Sequence, residues 1–151
     1  MDATARQAAL KKLDVLVGDW VVEAEFAGLP PSVGRCVFEW TLDGQFLLQR
    51  TQAPQPAPDS LAIVAVDPET GEYTYHYYDA RGVVRLYSMT FADGTWRLLR
   101  ETPDFSPLPF RQRFTGRFSE DGDTIHGVWD RSKDDSAAWE KDIVFTYRRG
   151  Y

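Results

Sequence analysis

Two histidines, one cysteine and a group of tyrosines lying near arginines are the side chains in this sequence with chemistry to offer. His76 stands between Asp67 and Asp79, and a carboxylate beside an imidazole is a familiar acid/base unit, so His76 and Asp79 are the catalytic candidates. Tyr77 with Arg85 could likewise move a proton on a small apolar substrate. His126 could serve as an axial haem ligand if it pointed inward with room for the macrocycle. Cys36, set in an apolar run, reads as an inert core thiol rather than a nucleophile. There is no nucleophile elbow, phosphate loop or dinucleotide fingerprint. One Cys and two His would leave a metal to carboxylates, so neither a metal nor a resident cofactor is expected, with haem on His126 as the alternative.

The chain that must position these groups has 151 residues, enough for one domain spanning 1–151. Its apolar content of 43% and aromatic content of 14% allow a core built from rings without disulfides, and point to a β protein. A formal net charge of −6 argues against nucleic-acid partners, whose binding draws on clustered Lys and Arg. No run of about 18 apolar residues and no signal-like N-terminal segment is present, so the expectation is a cytoplasmic protein without a membrane partner.

From Asp2 to Val17 the residues Ala9, Leu10, Leu13, Leu16 and Val17 recur at helical spacing, with Asp2 or Thr4 as N-cap and Gly18 as stop. After Gly18 short runs of Val, Tyr, Phe, Trp and Thr alternate with Gly, Pro and Asp clusters, which predicts a meander. Strands are expected at Asp19–Phe26, Val33–Leu42, Gln45–Gln52, Leu61–Asp67, Glu72–Asp79, Val83–Phe91, Thr95–Glu101, Phe110–Ser119, Thr124–Arg131 and Ala138–Arg148. Gly44, Gly82, Gly94 and Gly122 each follow an acid or Arg at a position where a tight turn needs positive φ. The Pro-rich pieces Gly28–Pro31, Ala53–Pro58 and Thr102–Pro109 cannot donate ladder hydrogen bonds and should form a rim or lid at the barrel ends. Closure of such a meander removes exposed edges, and the fold class is therefore an all-β antiparallel barrel of roughly ten strands with a short N-terminal helix; a sandwich is the rival.

The segment Leu16-Val17-Gly18-Asp19-Trp20 resembles the opening of lipocalin-like (calycin) barrels. That resemblance implies a Trp20 that plugs the barrel base against a basic residue of the last strand, with Arg148 or Arg149 as the match. The runs Phe38-Glu39-Trp40 with Asp43-Gly44, and His76-Tyr77-Tyr78-Asp79 with Arg81-Gly82, resemble an uncharacterised bacterial family of such barrels. The Gly-rich N-terminal run of haem-binding barrels is not matched after Trp20, where Val21-Val22-Glu23-Ala24 follows.

Turn geometry predicts which side chains share a face. If Thr41 pairs with Gln45, then Trp40 faces Phe46, Phe38 faces Leu48 and Cys36 faces Arg50. Arg50 would then point inward near the rim, where a guanidinium needs a carboxylate or an anionic ligand. Counting across Asp79–Val83 puts Tyr73, Tyr75, Tyr77, Arg85, Tyr87 and Met89 on one face, the preferred cavity face, and His76 on the other. The same bulged-turn counting sends Trp96, Leu98 and Arg100 to the His76 face. Phe110, Gln112, Phe114 and Phe118 alternate inward while Arg111, Arg113 and Arg117 face acids outside. His126 is inward after a bulged turn; a two-residue Asp121-Gly122 turn instead puts Ile125 and Trp129 inside.

The resulting expectation is a barrel that binds a small hydrophobic or amphipathic molecule with a polar or anionic end. Phe38, Trp40, Phe46, Leu48, Phe114 and Met89 would be walls, Tyr75, Tyr77, Tyr87 and Gln112 polar contacts, and Arg50 or Arg85 the anchor. The alternatives are an isomerase, cyclase or hydratase using that cavity, a haem-binding barrel, or a filled barrel used for assembly. A homodimer is left open.

Overall fold

The computed structural model describes residues 2–133 and 138–150. Helix α1 (Ala3–Lys11) starts where the Asp2 carboxylate accepts a hydrogen bond from the Ala5 amide at 2.7 Å. The chain then tightens into a 3₁₀ turn at Lys12–Leu16. Ten strands follow: β1 (Gly18–Phe26), β2 (Ser32–Thr41), β3 (Phe46–Gln52), β4 (Ser60–Val66) and β5 (Tyr73–Asp79), then β6 (Val84–Ala92), β7 (Thr95–Arg100), β8 (Phe110–Phe118), β9 (Thr124–Lys133) and β10 (Glu140–Arg149). Each pairs antiparallel with its sequence neighbours, and β1 pairs with β10, so the sheet closes into a barrel.

The connections sort by type between the two ends. Gly44, Gly94 and Gly122 turn the chain at the end from which β1 starts, the base, whereas the three Pro-rich connections all lie at the other end, the mouth. Gly82 makes its turn at the mouth. All four glycines have positive φ, between 68° and 82°, as the tight turns require.

Helix and 3₁₀ turn seal the base. Leu10, Leu13 and Leu16 are buried beneath them, Tyr73 donates its hydroxyl to the Ala9 carbonyl at 2.6 Å, and Arg6 reaches the Val66 carbonyl and Gln45. Trp20 is 1% exposed and donates its indole N–H to the Leu16 carbonyl at 2.8 Å. Arg149, not Arg148, lies over the Trp20 ring at 4.2 Å. It also donates to the carbonyls of Val15, Val17 and Gly122 and to the Asp123 carboxylate. One guanidinium thus ties the last strand to the cap and to the β8–β9 turn, satisfying backbone groups that the cap would otherwise leave unpaired.

Two registers differ from expectation and a third decides between the two expected for β8–β9, each because of a turn. Thr41 pairs with Phe46, not Gln45, since Leu42 and Asp43 both adopt positive φ and the loop is one residue longer. Leu47, Gln49 and Thr51 therefore face inward with Trp40, Phe38 and Cys36, and Phe46, Leu48 and Arg50 face outward. At Asp93-Gly94 the turn has two residues, both left-handed, so Ala92 pairs with Thr95. This carries Trp96, Leu98 and Arg100 to the Tyr75 face, all at most 2% exposed. The β8–β9 turn pairs Phe118 with Ile125 and Arg117 with His126, which leaves His126 exposed outside.

Candidate functional site

The mouth half of the barrel contains a cavity of about 660 Å³, a size at which drug-sized ligands are held. Its floor is aromatic. Trp96 packs edge-on against Phe38 at 6.0 Å and Phe114 at 4.9 Å, with Tyr75 and Tyr147 beside it. Val22, Ala24 and Phe26 of β1, Ile143 and Phe145 of β10, and Trp129 of β9 make the apolar side, and Leu29 with Pro30 and the 53–58 segment make the rim.

Polar groups gather on the β5, β6 and β8 wall. Arg85 donates Nη1–H to Gln112 Oε1 at 3.0 Å, and Tyr87 donates its hydroxyl to the same oxygen at 3.1 Å. Arg85, Tyr87 and Gln112 thus form one hydrogen-bonded cluster on the cavity wall, with the Arg85 guanidinium also over the Phe110 ring at 5.9 Å. Among the described residues no carboxylate lies within 4.0 Å of Arg85. Burial raises the Tyr87 pKa despite the opposing pull of Arg85, so at neutral pH this phenol is a hydroxyl donor.

Two arginines near this cluster are neutralised. Arg100, on the same inner face, forms a two-point pair with Asp104 at 2.9 and 3.0 Å, both side chains nearly sealed from solvent. Asp104 comes from the Pro-rich 102–109 connection and also accepts from the Leu86 and Ser106 amides. The Arg100 hydrogen bonds, with these amides, hold its carboxyl well below the usual carboxylate range. At the mouth, Asp79 accepts from the Arg81 side chain at 2.8 Å and from the Tyr77 hydroxyl at 2.9 Å. Burial works to raise the Asp79 pKa, but the bonds from Arg81 and Tyr77 outweigh it and hold it at about 2.

Deeper in, Tyr75 donates to Gln49 Oε1 at 2.7 Å, and Gln49 reaches the Cys36 sulfur at 3.5 Å. Burial pushes the Cys36 thiol up to about 11, so it stays protonated at neutral pH.

Of the residues singled out from the sequence, Tyr75, Tyr77, Tyr87, Arg85, Gln112 and Phe114 line this one cavity. The remainder need correction. Arg50 lies on the outer surface paired with Glu39 at 3.2 Å, for the register reason above. Phe46 and Leu48 are on the same outer face. Trp40 points inward but at the base, where its indole donates to Asp14 at 3.1 Å. Met89 and Phe38 are core residues below the cavity rather than its walls. His76 and Asp79 do not form a pair, because strand alternation puts His76 outside while Asp79 is taken by Tyr77 and Arg81. With His126 also outside, neither histidine lines the cavity. Among the described residues no group of three or more His, Cys, Asp or Glu gathers as a metal site, and no helix is long and apolar enough to cross a membrane.

Sequence reading missed Gln49 as the buried partner of Tyr75, Trp129 as a definite lining residue, and the β10 contributors Asp142, Phe145 and Tyr147. The alternation of Ile143, Phe145 and Tyr147 was the available signal for the last set.

A closed ten-stranded barrel with a helix-sealed base and a ligand-sized cavity at its mouth defines the class. No family model matches the chain, and no curated protein matches it. Among solved structures it is similar to one described as the crystal structure of Rv2717c from M. tuberculosis, at 15% sequence identity and a TM-score of 0.61, over 95% of this chain and 98% of that one. A likeness at that identity speaks to the fold.

Proposed function

We propose that this protein binds a small, largely apolar molecule with an anionic end, held inside the barrel with that end on Arg85. The observation that carries the reading is the contrast between two arginines of the inner face: Arg100 has a carboxylate, whereas half-buried Arg85, among the described residues, has the neutral Gln112 amide and the Phe110 ring beside it and no carboxylate. A guanidinium partly withdrawn from water and lacking a counter-ion gains most from a carboxylate, which it can grip at two points. The apolar walls and aromatic floor supply the rest of the affinity by burying the ligand body.

Titration calorimetry with octanoate and aromatic carboxylates tests this. Saturable binding is expected, stronger than that of the matching alcohols, and Arg85→Gln should remove the preference for the acid. Equal affinity of acid and alcohol for the wild type would overturn the anchor, and absence of any binding would overturn the function.

A further inference from the structure

The cavity has a second unneutralised charge. Strict alternation along β10 would send Asp142 outward, since Ile143, Phe145 and Tyr147 line the cavity. Yet Asp142 lines it too. The β9–β10 register shifts between Lys141 and Ile143, and such an irregularity re-aims the side chain at its centre. Among the described residues no Lys, Arg or His nitrogen lies within 4.0 Å of the Asp142 carboxylate.

Among the described residues the charged ones lining the cavity are Arg81, Arg85 and Asp142, and Arg81 is already paired with Asp79. What is left is one cation and one anion. They stand on opposite walls: in the closed strand order, β6 and β10 are four places apart one way round and six the other. Had the two charges served each other they would be neighbours; across the cavity, each is open to a different part of a guest. An apolar molecule with an acid at one end satisfies Arg85 and leaves Asp142 without a partner.

We propose that the ligand is amphoteric, with a carboxylate at one end for Arg85 and a cationic nitrogen at the other for Asp142, separated by an apolar body. This rests on the binding function proposed above and narrows it to a class of molecule. Charge separation is the selective feature, because an α-amino acid carries both charges on one carbon and cannot span from wall to wall.

Two probes of equal length isolate the charge: ω-aminooctanoate and ω-hydroxyoctanoate, compared by titration calorimetry. The wild type is expected to favour the amine by about fivefold, the scale of one partly exposed ion pair. Asp142→Asn should abolish that preference and Asp142→Glu should retain it, while Arg85→Gln should weaken both probes alike. Melting temperatures of the variants, read in the same buffer, separate a lost contact from a lost fold. Equal affinity of the wild type for the two probes, or a preference unchanged in Asp142→Asn, would overturn the proposal while leaving the binding function standing. Failure of both probes to bind would overturn the two together.

Discussion

Arg85 and Arg100 enter the same interior from neighbouring strands, yet they differ in what surrounds their charge because of what the next connection supplies. Asp104 folds back over Arg100 and closes its charge account within the protein. Removing that carboxylate would strand a guanidinium that is only 2% exposed. Asp104→Asn is therefore expected to lower the unfolding free energy by about 3–5 kcal/mol, read from urea denaturation. The pH dependence follows in sign. A carboxyl held below its unfolded value stabilises the fold once pH exceeds that unfolded value, near 4, and the contribution is lost as pH falls toward the lower folded value. Wild type should thus lose stability on acidification below about pH 4, and Asp104→Asn should lose less over the same interval. Arg85→Gln should behave in the contrary way: stability in the absence of ligand unchanged or slightly improved, and octanoate affinity reduced about tenfold, as befits a lost charge-assisted contact.

Between β8 and β9 two glycines make room for one ring. A Cβ on Gly127 would lie 2.6 Å from Phe114 Cε1, and a Cβ on Gly116 would lie 2.8 Å from Cε2. The ring cannot move aside, since Trp96 and Trp129 hold it at 4.9 and 5.1 Å. Gly127→Ala should cost about 1–3 kcal/mol by overpacking, and Phe114→Leu introduced alongside should recover part of it. A double-mutant cycle on thermal unfolding measures both numbers. These elements also show where the sequence was readable. Tight turns at Gly44, Gly82, Gly94 and Gly122, the helix cap at Asp2 and the inward Phe row of β8 follow from residue type and spacing, and so did the inward Tyr75 and Arg85 face. Arg50 was misassigned because Leu42 and Asp43 adopt a left-handed backbone that their side chains do not announce, and one residue of loop reverses every side chain beyond it. Asp142 was invisible for a related reason, a bulge that no local composition marks. Asp104 was beyond reach because its partner is fixed by how a Pro-rich loop folds back, not by strand alternation.

As a whole, the barrel is closed by the β1–β10 ladder and stoppered at its base by the helix, the 3₁₀ turn and Arg149. Leu13 and Leu16 are fully buried beneath that stopper. Leu13→Ala should therefore cost about 2–5 kcal/mol, detected as a fall in denaturant midpoint, without altering affinity for octanoate at the distant mouth. The stopper has a kinetic corollary. With the base stoppered, a newcomer has no way to push an occupant out from behind and must wait for the interior to empty. Exchange in a stopped-flow chase should then proceed at a rate set by the resident molecule alone, flat against the concentration of its replacement. A tunnel open at both ends would instead speed up as the replacement is added.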